Sequence, residues 1–525
     1  MQRPHGTFLL AQFDAAATTL LRIGVRPTSG AAALQTRKIL TSSGALTLSN
    51  LAAPEDGRTP MAVSRWAPFL LAALLSASLP LGAAETNAPG AAKNSLPAPA
   101  VKNIPSMAEA DGRLRFKFGE ERMVLPRGLQ PSFLRTASGA FVVQAQIPEK
   151  TFPTSRMVYF NAMETRVSRD DGKSWTRIPL KPGENGLNME GGAVQLREGT
   201  ILALDTYIMP GAGPGEGIGQ LYTSTNDWRT LEGPQEATFE LPGINFHAST
   251  DDGGRPHNAQ RLHRRILELP NGDLLTTLYG WMEGDDTPCT YLARMKKTRV
   301  MLARSTNKGR HWKFVSTVAV DPKIGTEGFG EPVLARVSKG PNADRLICLM
   351  RTGRELREAI SDDGGATWSP HHARVFAGLD IYRTELWADM FRGLKSLSGK
   401  ILDESNPDDL RGAVVDPDLI ELRSGLLVAA FGVRVPQKDC WRNPHHPWNG
   451  NYLAFSEDHG KTWSNVVRMT SGVLTTHYMA IEETLTDNQL FVTYDLGGWS
   501  KGMNRDVWGR FVDVIIKPKT LHENH

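Results

Sequence analysis

The stretch SRDDGKSW, Ser168 to Trp175, comes back in altered form as STNKGRHW (Ser305 to Trp312), SDDGGATW (Ser361 to Trp368) and SEDHGKTW (Ser456 to Trp463). The shared form is S-x-[DN]-x-G-x-x-W. Each copy follows a short apolar or aromatic run and precedes another strand-like segment, which predicts a hairpin turn. The Asp or Asn side chain accepts backbone N–H groups of the turn, and the glycine supplies a positive φ. The tryptophan then buries a large ring against its own hairpin. A chain that repeats one hairpin in this way has a repeat architecture.

A degenerate copy, STNDW (Ser224 to Trp228), fits between the first two. It begins 56 residues after Ser168, and the same step separates Ser305 from Ser361. About 50 residues hold four short strands with their loops, which is one propeller blade. The longer gaps, 224–305 and 361–456, leave room for insertions. Five boxes and a boxless last unit, roughly 466–516, give six blades. Strand-like runs recur through these units: AFVVQAQ, TILALDTY, DLLTTLYGW, RLICLMR, GLLVAAFGV and QLFVTYD. They are apolar, β-branched or aromatic, bounded by Gly, Asn or Asp, and no long stretch has helical period. The expected fold is all-β, a six-bladed β-propeller with its boxes at hairpins.

The repeat resembles the Asp-box, or BNR repeat. Over about 120–516 the chain is similar to the sialidase superfamily, of which it looks like a divergent member. The resemblance implies that the boxes lie at outer hairpins, away from the site. It does not settle function, which depends on the residues of the site.

The expected domain organisation places a secretory signal inside the chain. MAVSRWAPFLLAALLSASLPLGAA, residues 61–84, has a basic n-region at Arg65, an apolar run from Pro68 to Leu81 and small residues before Glu85. Residues 1–60 are then read as an extension upstream of a natural start at Met61, and residues 85–105 as an Ala/Pro-rich flexible linker. The propeller occupies 106–520. This reading places the protein outside the cytoplasm, secreted or periplasmic, with no integral membrane segment in the mature chain. The net charge of +4 belongs to the first 84 residues and leaves the remainder near neutral, without a basic run. Nothing supports a nucleic-acid partner. Cys289, Cys348 and Cys440 are widely spaced, with no CxxC, so no metal and no cofactor are expected.

Candidate site residues fall at strand entries and ends. HYMAIEE followed by LFVTYD opens the last unit, and the resemblance gives Tyr478 the role of the sialidase nucleophile. A phenol suits an anomeric carbon that carries its own carboxylate, because it approaches neutral and loses its proton late. In GEPVLARV and RLICLMR, the resemblance makes Glu331 the base that activates Tyr478, and Arg351 a fork for a substrate carboxylate. Arg434, ending LLVAAFGVRV, stands where a second such arginine would. The loop DCWRNPHHPWNGN offers Trp441 and Trp448 for stacking on a sugar. In the first unit GLQPSFLRT places Leu129 where the superfamily has a third arginine. Glu149, in QAQIPEKTFPTSR, is the one carboxylate available there as an acid. Further polar residues at strand entries are Glu190 in NMEGG, His263 and Arg264 in RLHRRILEL, and Asp416 and Asp418 in VDPDLIEL. The function expected is that of an exo-glycosidase resembling α-sialidases, cleaving a terminal acidic sugar, sialic acid or a relative, from a glycan. The alternatives are a non-catalytic carbohydrate-binding propeller, or a hydrolase or lyase for another polysaccharide.

Overall fold

The structure is a computed structural model and describes residues 105–107, 110, 112–151, 161–179, 186–246, 250–252, 255–290, 294–379, 412–437, 440, 445–499 and 504–518. Three short strands come first, β1 (Ser106–Met107), β2 (Leu114–Phe118) and β3 (Arg122–Pro126). An antiparallel meander follows: β4 (Leu129–Arg135), β5 (Phe141–Thr151), β6 (Asn161–Ser168) and β7 (Thr176–Ile178). The next strands are β8 (Ala193–Gln195), β9 (Ile201–Leu204), β10 (Tyr207–Pro210), β11 (Glu216–Ser224) and β12 (Glu232–Glu240). After the hairpin β13 (Thr250–Asp252) and β14 (Arg255–His257) come β15 (Gln260–Glu268), β16 (Leu274–Gly280), β17 (Arg299–Ser305) and β18 (His311–Ala319). The runs β8-β9-β11-β12 and β15-β16-β17-β18 are both antiparallel. A parallel pairing of β12 with β18, and β10 bridging β11 to β15, merge them into one nine-stranded sheet.

Two further meanders are β19 (Gly330–Arg336), β20 (Leu346–Arg351), β21 (Arg357–Ser361), β22 (His372–Ala373), and β23 (Ala413–Glu421), β24 (Leu427–Arg434), β25 (Gly450–Ser456), β26 (Ser464–Arg468). The last comprises β27 (Met479–Glu483), β28 (Gln489–Gly497) and β29 (Arg505–Ile516). Its fourth strand comes from the other end of the chain: β2 pairs antiparallel with β29, Leu114 opposite Ile516. β3 also pairs β29, and β1 adds to β26. The N-terminal segment thus stitches the final sheets together.

The strand sequences explain why these sheets stack. β20, β24 and β25 are buried along their whole length, and β20 and β24 read as apolar runs up to their terminal arginines, which is the pattern of strands covered on both faces. Apolar cores lie between successive meanders. Leu134 and Val142 of the first meet Ile201 and Trp228 of the second. Leu204 and Phe239 meet Leu278 and Trp312, and Val300 and Leu302 meet Leu334 and Leu346. Ile347 and Leu349 meet Val414 and Phe431, and Leu453 and Phe455 meet Ile481 and Val492. Phe491 of the last sheet closes against Phe133 and Phe141 of the first, its ring 4.7 Å from that of Phe141. The chain is all-β and propeller-like, with no α-helix among the described residues. No helix there is long and apolar enough to cross a membrane.

The repeated boxes form the expected turns. Ser168 Oγ donates to Asp170 Oδ1 (2.8 Å) and accepts the Gly172 N–H (2.8 Å), while Asp170 also accepts the Ser174 N–H (2.9 Å). The boxes at Ser305, Ser361 and Ser456 repeat this geometry. Burial of the tryptophans is uneven: Trp312 and Trp463 are buried, whereas Trp175 and Trp368 are partly buried against their cores. The degenerate copy is a complete box with different occupants. Trp228 N donates to Ser224 Oγ (3.0 Å) and Thr230 N to Asn226 Oδ1 (3.0 Å). Trp228 therefore fills the glycine slot, at φ 61°, and Leu231 takes the place of the box tryptophan in the core.

One device recurs in the strand that opens a meander. β4, β15, β19 and β23 each break register, between Leu129 and Ser132, Leu262 and Ile266, Gly330 and Val333, and Val415 and Asp418. Inside each break sits a residue with positive φ: Gln130 (56°), Arg264 (46°), Glu331 (41°) and Asp416 (48°). Just before β27 the same role falls to His477 (68°). A bulge leaves one residue unpaired and re-aims its side chain. Proline, lacking an N–H, fits directly after such a residue, as Pro131, Pro332 and Pro417 do.

Candidate active site

The bulged entry strands bring distant residues together. Tyr478, immediately before β27, is 1 % exposed and donates its hydroxyl proton to Glu331 Oε1. Arg351, at the end of β20, donates from Nη1 to the same Glu331 oxygen and to Tyr478 Oη (3.1 Å). Arg434, at the end of β24, lies over the Tyr478 ring, 5.7 Å from its centre, and donates to the Thr476 carbonyl (2.7 Å). The remaining Glu331 oxygen accepts the Asp416 N–H (3.0 Å).

Burial is the largest single influence on Glu331 and opposes its ionisation, but Arg351, His263, the Tyr478 hydroxyl and Arg434 together outweigh it, and the carboxyl is lowered to about 2. Glu331 is thus an anion at neutral pH, placed to take a proton from a phenol. The Arg351 guanidinium, touching both oxygens, favours the phenolate that results. Holding Glu331 at positive φ is costly for a non-glycine residue, a form of strain that concentrates at functional sites.

Around this pair lies a layer of buried charge. His263 is fully buried; its Nδ1 is 3.2 Å from the Pro332 carbonyl, and its Nε2 lies 3.6 Å from Asp416 and 3.7 Å from Glu190. Arg261 donates to Glu190 (3.1 Å) and its guanidinium lies against the rings of Tyr207 and Tyr279. Arg264 grips Asp416, whose Oδ2 also accepts the Met479 N–H (3.0 Å), so Asp416 ties the Glu331 strand to the Tyr478 strand. Asp418 is held by both arms of Arg265 (2.8 and 2.7 Å) and accepts the Ile481 N–H, a pairing that pins strands to one another.

Of the residues expected at the site, Tyr478, Glu331, Arg351 and Arg434 meet directly. His263, Glu190, Asp416 and Arg264 form the layer beneath, and Asp418 stands one pair further away. Trp448 is partly buried against an apolar core, its carbonyl accepting the Tyr452 hydroxyl (2.9 Å). Trp441 lies outside the described residues, as does the side chain of Glu149 on β5. Leu129 is fully buried. Among the described residues no group of His, Cys, Asp or Glu is arranged to hold a metal ion. Cys289, Cys348 and Cys440 are all buried.

Several polar residues of the site were not anticipated. Glu327 Oε1 lies 3.6 Å from Arg351 Nη2. Asp495 accepts the Gln130 N–H (2.8 Å) and the Thr476 N–H (2.7 Å). Asp205 accepts the N–H groups of Asn188 (2.8 Å) and Tyr207 (3.1 Å), and burial pushes its carboxyl up to about 6. Gln130, Gln146 and Asn161 form a buried amide chain on β4, β5 and β6. The sequence did carry one signal for part of this set: the pairs Gln130-Pro131, Glu331-Pro332 and Asp416-Pro417 mark equivalent bulges.

A model of the BNR/Asp-box repeat family matches residues 359–370, the turn around Ser361 to Trp368. No curated protein matches it in sequence. Among solved structures it is similar to a protein of unknown function from Dyadobacter fermentans, with 16% identity over 77% of this chain and 100% of the other, at TM-score 0.48. It is similar to the α-L-arabinanase of Penicillium chrysogenum, with 14% identity over 75% and 98% of the two chains, at TM-score 0.44. A mutant of NanB sialidase from Streptococcus pneumoniae shares 12% identity over 74% and 68%, at TM-score 0.43.

Proposed function

We propose that the chain is a divergent member of the sialidase superfamily, a six-bladed propeller acting as an exo-glycosidase on a terminal sugar of a glycan. The blade count treats the nine-stranded sheet as two blades. It is supported by the apolar core between each meander and the next, and between the last and the first. The observation that carries the reaction is the hydrogen bond from Tyr478 to Glu331, with Arg351 on both oxygens.

In this mechanism Tyr478 Oη attacks the anomeric carbon as its proton passes to Glu331. The bond from that carbon to the aglycone oxygen breaks, and the leaving oxygen takes up a proton, for which Glu149 is the proposed donor. Water then attacks the anomeric carbon and gives one proton back to Glu149, the bond to Tyr478 Oη breaks and releases the sugar, and Tyr478 recovers its proton from Glu331. The protein is proposed to be exported through the segment from Met61.

Glu331→Gln is expected to lower kcat by about 10²–10⁴-fold on a hydrolysed aryl glycoside, the span of general-base catalysis. Tyr478→Phe should abolish covalent turnover. Full activity in either variant contradicts the mechanism. One observation favours a second reading, a sugar-binding propeller without turnover: Tyr478 is 1 % exposed. Saturable binding of a glycan with no product from any glycoside would support it.

A further inference from the structure

Charge around Tyr478 bears on which sugar the site takes. Arg351 faces two carboxylates, Glu331 on Nη1 and Glu327 at 3.6 Å from Nη2. Arg434 is engaged by the Thr476 carbonyl and the Tyr478 ring. An incoming carboxylate would meet Arg351 already facing two carboxylates, and Arg434 already engaged by a carbonyl and a ring. On the other flank Asp495 links Thr476 to Gln130. Here Asn161 Nδ2 donates to Gln146 Oε1 (3.1 Å), and Gln146 Nε2 donates to Gln130 Oε1 (2.5 Å). All three amides are more than nine-tenths buried, and Leu129 beside them is fully buried. Amides present both donors and acceptors and suit hydroxyl groups. They bring no charge to offset the desolvation of a buried anion.

We propose that the site selects an uncharged terminal sugar, with Glu327 and the Gln130–Gln146–Asn161 chain as the groups that set this preference. The proposal rests on the glycosidase reading of Tyr478 and Glu331, and it departs from the acidic sugar expected from sequence resemblance.

The test uses the full chain and aryl glycosides in matched pairs, a neutral hexose and its uronic acid, together with an aryl sialoside. The neutral member should be favoured in kcat/KM by about tenfold or more, the effect of one missing charge-assisted contact. Glu327→Gln should narrow the neutral-over-acidic ratio by about tenfold. The same ratio is measured as binding, by calorimetry on Tyr478→Phe with the free sugars of each pair and with sialic acid. Preference for a uronic acid or sialic acid in either assay, a ratio unmoved by Glu327→Gln, or binding of neither kind of sugar overturns the proposal. Turnover unaffected by Tyr478→Phe would overturn the glycosidase mechanism instead, and the binding ratio would still decide the selectivity.

Discussion

Two buried carboxyl groups at this site behave in opposite ways. Glu331 faces Arg351 and is held down, while Asp205 receives only backbone donors close by and is pushed up to about 6 by burial. The unfolded Asp205 carboxyl loses its proton near its ordinary value of about 4. Between that value and about 6 the folded chain binds more protons than the unfolded one, so the Asp205 contribution to stability falls as pH rises. Over this window the loss is about 2–3 kcal/mol relative to Asp205→Asn, which cannot ionise. Urea unfolding of the two proteins at pH 4, 5 and 6 checks this. Parallel profiles would show that Asp205 ionises normally in the folded state. Asp205 was not legible in the sequence, because only the Tyr207 N–H two residues on is local, whereas the Asn188 N–H and the burial come from the fold.

The box turn shows what a short element can encode. The Asp363 carboxyl is lowered to about 2 by the Thr367 hydroxyl and N–H and by Ser361, and Asp170 is lowered likewise by Ser174 and Ser168. A depressed carboxyl contributes stability above its unfolded value, and that contribution is lost as pH falls toward about 2. Asp363→Asn should therefore match the wild type at pH 7, since Asn307 and Asn226 serve the same turn elsewhere, and should lose less stability in acid. A denaturation series from pH 7 down to 2 tests this, and equal acid sensitivity would contradict it. Trp312→Ala should cost about 3–5 kcal/mol, as the ring is fully buried, whereas Trp175→Ala should cost less because its ring is only partly covered. Equal losses in denaturant melts would mean that burial is not what distinguishes them. The boxes were legible because the turn is local. The fifth escaped full reading because Trp228 adopts the glycine conformation, which its type does not suggest.

At the scale of the molecule, the strand pattern and the box spacing made the all-β repeat legible, and the resemblance singled out Tyr478, Glu331, Arg351 and Arg434, which meet in the fold. What lies between those residues depends on neighbouring meanders and was not legible: Glu327 on Arg351, and the amides of β4, β5 and β6. Nor did the strand runs show that β2 completes the last sheet, since that pairing joins residues about 400 apart in sequence. A chain beginning at residue 119 loses β1 and β2, including buried Leu114 and the contact of Phe116 with Phe455 (4.8 Å). Its melting temperature should drop by about 5 °C or more against a chain beginning at residue 105. The central claim is that Tyr478 forms a bond to the sugar. The most direct measurement is intact and peptide-resolved mass spectrometry of the protein after incubation with a fluorinated glycosyl fluoride of a turned-over sugar. The account predicts one added glycosyl group on the peptide carrying Tyr478, absent in Tyr478→Phe. An adduct on a carboxylate such as Glu331, or steady turnover of the parent glycoside by Tyr478→Phe, would contradict it.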